Sequence, residues 1–117
     1  MNNLVLAYLG DAAYELYIRE YLINKGIAKV NNLQKMSINY VSAKSQRRIL
    51  EALENENIFT EREQDIIKRG RNTSSHSSKS TDIITYKKAT GLECLIGYLY
   101  LNDYNRFKEI MEKVVNI

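Results

Sequence analysis

Apolar positions recur along this chain in five or six stretches separated by short polar breaks, and their spacing predicts helices. From Asn3 to about Asn24 the pattern is helical and apolar on most faces, with Lys25-Gly26 as its stop, so this helix is expected to be central. Val30-Asn-Asn-Leu-Gln-Lys-Met36 predicts a short helix or turn, with Asn31 or Asn32 as its cap. Between Ser37 and about Asn57, Ile38, Val41, Ile49, Leu50 and Leu53 form an apolar side against Lys44, Gln46, Arg47 and Arg48, which predicts one amphipathic helix. Thr60-Glu-Arg-Glu63 is a capping-box pattern, and the helix it starts is expected to reach about Arg69 and stop at Gly70. Arg71 to Thr81 holds almost no apolar residue and predicts a mobile loop. Helical pattern returns from Asp82 to about Leu101, and a last helix follows Asn102-Asp103. With no internal repeat and no boundary, the expectation is one all-α domain spanning residues 1–117.

Two acids interrupt the most apolar parts of this pattern. Asp11 lies within Leu4-Val-Leu-Ala-Tyr-Leu-Gly-Asp-Ala-Ala-Tyr14, and Glu93 within Leu92-Glu-Cys-Leu-Ile-Gly-Tyr-Leu-Tyr-Leu101. Both are expected to be buried carboxylates, which need a cation, a hydrogen-bond network or a metal beside them. Gly10 precedes Asp11 directly, and Gly97 follows Glu93 by one helical turn. Glycine inside a helix costs about 1 kcal/mol relative to alanine unless close approach offsets it. If the two segments pack together, the acids make a candidate hard-metal site. Ordinary pairing with Arg or Lys accounts for them equally well at this stage.

Composition narrows the choice. The 117 residues are 44% hydrophobic, with no proline and five glycines, which suits a helical fold. One cysteine excludes an internal disulfide framework, and one histidine with it cannot build a Cys/His zinc cage, so any metal would need carboxylate oxygens. No signal peptide is visible and no apolar run approaches the ~20 residues that span a bilayer, so no membrane association and a cytoplasmic location are expected. The net charge of +3 is uneven. Lys68 to Lys88 carries +5 and the rest sums to −2, which points to one local anion-binding surface.

The acidic segments resemble a known family. Leu6-Ala-Tyr-Leu-Gly-Asp-Ala-Ala-Tyr-Glu15 is similar to the signature helix of the ribonuclease III catalytic domain, and Thr90-Gly-Leu-Glu-Cys-Leu-Ile-Gly-Tyr-Leu-Tyr-Leu101 to its second acidic helix. Val41-Ser-Ala-Lys-Ser-Gln46, Phe59-Thr60, Lys68-Arg-Gly-Arg-Asn72 and Thr81-Asp-Ile-Ile-Thr-Tyr86 resemble the miniature branch, Mini-ribonuclease III, in order and at compatible spacing. The resemblance implies a ribonuclease III endonuclease-domain-like helical bundle. It further implies a Mg²⁺-dependent endoribonuclease that cleaves double-stranded RNA to leave 5′-phosphate and 3′-hydroxyl ends, with Asp11 and Glu93 as catalytic metal ligands. Larger relatives carry two more acids, at the positions of Ala7 and Thr90. Their replacement implies a reduced site, with water or the Thr90 hydroxyl filling part of the shell. Glu15, one turn beyond Asp11, either orients a water there or pairs with Arg19.

By the same resemblance, Tyr8 matches the aromatic that docks into the partner subunit of a homodimer, in which two active sites face opposite strands of one duplex. The implied substrate is large-subunit (23S) ribosomal RNA precursor, and the implied setting ribosome biogenesis. No segment is left for a separate double-stranded-RNA-binding domain, so affinity is expected from the dimer valley, the basic stretch or a ribosomal protein that presents the RNA. Duplex RNA is gripped through phosphates and 2′-hydroxyls, for which Lys68, Arg69, Arg71, Asn72 and Lys79 have suitable chemistry, with Lys44, Gln46 and Arg47 as an extension. A solvated loop without a partner is the bland alternative. His76 is expected to be a loop residue and Cys94 a packing residue. The competing class is a non-catalytic RNA-binding or ribosome-associated module that keeps the fold.

Overall fold

The computed structural model describes residues 1–73 and 82–117, and these form six helices with no strand among the described residues. They are α1 (Asn3–Asn24), α2 (Val30–Val41), α3 (Ala43–Asn55), α4 (Glu61–Thr73), α5 (Ile83–Asn102) and α6 (Tyr104–Val115). The all-α expectation holds. The central helix, however, is α5, against which α1, α3, α4 and α6 all pack. Its Leu92, Cys94, Leu95 and Ile96 are fully buried, in one core cluster with Tyr14, Ile18 and Leu22 of α1, Leu50 and Leu53 of α3 and Ile110 and Met111 of α6. No helix among the described residues is long and apolar enough to cross a membrane.

Local signals account for most boundaries. The Asn2 side chain accepts from the Leu4 amide to open α1, and Gly26 follows that helix at φ +92°, a conformation costly for any residue with a Cβ. The capping box forms as the sequence predicts. Glu63 N–H donates to Thr60 Oγ1 at 3.1 Å, and Thr60 N–H to Glu63 Oε1 at 3.0 Å. The same Glu63 receives a bidentate grip from Arg106 at 2.8 and 2.9 Å, which ties α6 to the start of α4. Asp82 and Asp103 cap α5 and α6.

Three boundaries depart from expectation. The amphipathic stretch from Ser37 to Asn57 is not one helix. Ser42 is extended (φ −66°, ψ 152°) and its hydroxyl accepts from the Ser45 amide, so it ends α2 and caps α3 at once. Asn31 and Asn32 lie inside α2, whose cap position, Lys29, makes no side-chain cap bond. Gly70 does not stop α4, which runs on to Thr73. A Cβ at Gly70 would stand 2.8 Å from Cys94 Cβ and 3.2 Å from Gly91 Cα, so this glycine serves helix packing. The first three residues of the expected loop, Arg71 to Thr73, are therefore helical. The remainder of it, with Lys79 and His76, lies outside the described residues.

The closest helix contact sets the architecture. A Cβ on Gly10 would fall 1.8 Å from the Glu93 carbonyl oxygen, and one on Gly97 would fall 2.0 Å from the Leu6 carbonyl oxygen. The backbones of α1 and α5 thus touch. Overpacking of this kind costs 1–3 kcal/mol in a core, and here it meets backbone that cannot move aside. Gly10→Ala should destabilise the protein by about 3 kcal/mol in urea denaturation; an unchanged midpoint would contradict the close crossing.

Candidate active site

The glycine crossing has a direct chemical consequence. Asp11 follows Gly10 on α1, and Glu93 precedes Gly97 by one turn on α5, so the contact that joins the backbones brings the two carboxyl groups into hydrogen-bonding reach. Their burial differs from expectation, since Asp11 is exposed and Glu93 half-buried. The apolar run around Asp11 misleads because the outer face of α1 is itself apolar. Val5, Tyr8 and Leu16 are all exposed there, Tyr8 at 83%.

Glu93 is electrostatically out of place. Its carboxyl is pushed up from 4.5 to about 9, first by burial, then by the hydrogen bond with Asp11 and by that residue's charge, with Glu15 adding to the push. One interaction opposes this. Gln46 Nε2 on α3 donates to Glu93 Oε2 at 3.4 Å, and Gln46 is only 2% exposed. The sequence pattern had placed Gln46 on the polar, outward side of its helix. Gln46 instead stands three, four and seven residues before Ile49, Leu50 and Leu53, which puts it on the buried face of α3. Tyr14, beneath the pair, donates to the Tyr40 carbonyl at 2.7 Å, and its phenol pKa is raised by burial and then by Glu93.

Beside Glu93 opens a cleft of about 700 Å³ whose lining includes Ser42, Lys44, Gln46, Asp82, Tyr86 and Thr90. Thr90 is buried, and its hydroxyl donates to the Tyr86 carbonyl at 2.9 Å along its own helix. Ala7 is buried and carries no polar atom. Glu15 pairs with Arg19 at 3.2 Å in an exposed i,i+4 bridge, an interaction worth about 0.3–0.5 kcal/mol. Among the described residues no group of three or more His, Cys, Asp and Glu side chains forms a metal cage. The donor set is thus two carboxylates, one of them open to solvent, which fits a hard, largely hydrated cation better than a soft or fully enclosed one.

Among the described residues, the predicted basic ones do not form one surface. Lys44 lies in the cleft beside Glu93. Arg47 is engaged at the start of α5, donating to Thr85 Oγ1 at 2.9 Å and to Glu51 at 3.2 Å, with Asp82 at 3.9 Å. Lys68, Arg71 and Asn72 line a second cleft, of about 400 Å³, with Asn57 and Gln64. Arg71 packs over Gly91, which stands two residues before Glu93 and so about 200° around α5 from it. The second cleft therefore opens on the side of α5 away from Glu93. Arg69 points elsewhere again, pairing with Asp65 at 2.5 Å beside Arg62 and Tyr98.

Comparison with known proteins gives a consistent answer. The family model for the ribonuclease III domain matches residues 4–104. Mini-ribonuclease 3 of Enterococcus faecalis is 46% identical over 99% of this chain and 86% of its own length. Mini-ribonuclease 3 of Staphylococcus aureus is 45% identical over 100% of this chain and 89% of its own. A crystal structure of a Fusobacterium nucleatum protein superposes with a TM-score of 0.86 at 34% identity, covering 99% of this chain and 93% of that one.

The raised Glu93 carboxyl links stability to pH. The folded state binds this proton more tightly than the unfolded chain, so the stabilisation is fully present below 4.5 and is lost as pH rises through about 9. Without a cation, Glu93→Gln should therefore melt several degrees above the parent at neutral to mildly alkaline pH. The gap should close below about pH 4.5. A calorimetric series in EDTA showing a pH-independent difference would contradict the coupling.

Proposed function

This chain belongs to the ribonuclease III family and is an endoribonuclease of the Mini-ribonuclease 3 kind, and we propose that Asp11 and Glu93 together hold Mg²⁺ to hydrolyse double-stranded RNA. The observation that carries this reading is the adjacency of the two carboxyl groups at the helix crossing, where Gly10 and Gly97 let the α1 and α5 backbones meet and burial and Asp11 raise the Glu93 carboxyl. Mg²⁺ in this position would activate water and offset charge on the phosphate oxygens, giving 5′-phosphate and 3′-hydroxyl ends. Asp11, being exposed, faces the incoming phosphodiester. Glu93, half-buried, is held from behind by Gln46 and would bind the cation as its carboxylate. Thr90 spends its hydroxyl on the Tyr86 carbonyl, and Ala7 has none, so the rest of the coordination falls to water.

The cleft that contains Lys44 and Thr90 beside Glu93 is the proposed seat of the scissile strand. Lys68, Arg71 and Asn72 lie on the other side of α5 and would meet a more distant part of a long duplex, while Arg47 holds the start of α5 and contributes indirectly. The exposed stripe of Val5, Tyr8, Ala12 and Leu16 follows i, i+3, i+4 spacing on α1, next to Asp11. It suits an isologous contact with the same face of a second copy, which would set two sites on one duplex. Maturation of large-subunit ribosomal RNA in the cytoplasm by a single catalytic domain, with a ribosomal protein presenting the RNA, is proposed from the family likeness.

Duplex RNA should be cut in Mg²⁺ and left intact in EDTA. Asp11→Asn or Glu93→Gln should lower kcat by about two orders of magnitude or more, an effect on the scale of removing a key electrostatic group. Cleavage unimpaired in either variant, or active in EDTA, would sink the assignment, and a protein that binds duplex RNA without cutting it would favour a non-catalytic module. For the α1 contact, Tyr8→Ala should shift the mass in light scattering from dimer towards monomer. A dimer unaffected by that change would place the interface elsewhere.

A further inference from the structure

We infer that Gln46 is a positioning residue for Glu93, bracing one carboxylate oxygen with its amide so that the other is presented towards Asp11 and the cation between them. The inference rests on the metal-site reading above. It starts from the fates of the four buried polar or charged side chains among the described residues: Gln46, Glu63, Thr85 and Thr90. Glu63 is occupied by Thr60 and Arg106, Thr85 by Asp82 and Arg47, and Thr90 by the Tyr86 carbonyl. Each of these three fixes a helix end, a helix contact or its own helix backbone. Gln46 differs, because its side-chain bond is to Glu93.

A buried amide left unpaired is costly, so an inward-facing Gln needs a partner worth the desolvation. The neighbouring polar residues of α3 turn elsewhere. Lys44 is exposed, Arg47 reaches Thr85 and Glu51, and Arg48 donates to the Asn39 carbonyl. The amide also has the right charge for the position. A Lys or Arg there would form an ion pair with Glu93 and compete with a cation, whereas a carboxylate would add repulsion. A neutral N–H donor restrains the carboxylate and leaves its charge available. Neither Ala7, with no polar atom, nor Thr90, with its hydroxyl committed, can do this.

The test is a substitution that preserves volume and removes the donor, Gln46→Met, read first without RNA as the rise in melting temperature on titration with MgCl₂. The variant should need about tenfold or more Mg²⁺ for the same rise, as loss of a partner to a metal-binding carboxylate typically costs. With duplex RNA it should lower kcat at fixed Mg²⁺ and leave KM for RNA unchanged. In a Glu93→Gln background the same change should have no further effect on the Mg²⁺ response, because Gln46 acts through Glu93. A simple packing role would instead lower the melting temperature equally with and without Mg²⁺ and add to Glu93→Gln. If Gln46→Met does not fold, Gln46→Asn, which keeps an amide one methylene too short to reach Glu93, should show the same Mg²⁺ defect. Parental Mg²⁺ response in the folded variant would overturn the inference. That result would leave the metal-site reading standing, whereas full activity of Asp11→Asn would remove the reading itself.

Discussion

Helix α1 and helix α5 approach until backbone meets backbone, and that contact governs both the packing and the chemistry of this protein. Gly10 and Gly97 face each other's helices with no room for a methyl group. At the α4–α5 contact, Cβ atoms on Gly70 and Gly91 would meet their nearest neighbours at 2.8 and 2.7 Å, so the α1–α5 crossing is the tighter of the two. At the crossing nothing can give way, since the neighbours are carbonyl groups. The same rigidity that makes the glycines irreplaceable fixes the separation of the residues beside them, and those residues are the two acids.

Placing two carboxyl groups at such a crossing works against folding. Glu93 loses water and faces the charge of Asp11, so its proton is retained to about pH 9. A cation between the groups would outweigh their mutual repulsion and turn an unfavourable pair into a binding site. Sites that hold their substrates or ions through such local destabilisation are compensated by stability elsewhere. Here the compensation comes from the closed shell around α5, from the capping box shared by Thr60, Glu63 and Arg106, and from the enclosed aliphatic side chains of α3 and α6.

Much of this was visible in the sequence, for identifiable reasons. Helix type and number followed from periodicity, and the capping box from four residues, because both depend on local geometry. The pairing of Asp11 with Glu93 is implied by the family resemblance; the glycine on or beside each acid's turn allows close approach without naming the partner. Burial of Asp11 was misjudged because an apolar run does not distinguish a helix enclosed by its own chain from one with an unpartnered apolar face. The split at Ser42 is hidden by apolar positions that continue on both sides of it, and the inward place of Gln46 by its polar side chain, although residues 46, 49, 50 and 53 share one helical face. Gly70 reads as a helix stop in the sequence, although a glycine serving helix packing gives the same local signal. Lys68, Arg69 and Arg71 look contiguous in sequence, yet α4 distributes them over different faces of the molecule.

The central claim is that one cation binds between Asp11 and Glu93. It is tested most directly by titrating carboxyl-labelled protein with Mn²⁺ and following paramagnetic broadening of the side-chain carboxyl signals by NMR. A shared site predicts that the Asp11 and Glu93 signals broaden together, ahead of the other acids, at the same Mn²⁺ concentration, and that replacing either residue by its amide protects the other. Broadening that begins at Glu15 or at unrelated surface carboxylates, or that reaches Asp11 and Glu93 at different concentrations, would contradict it.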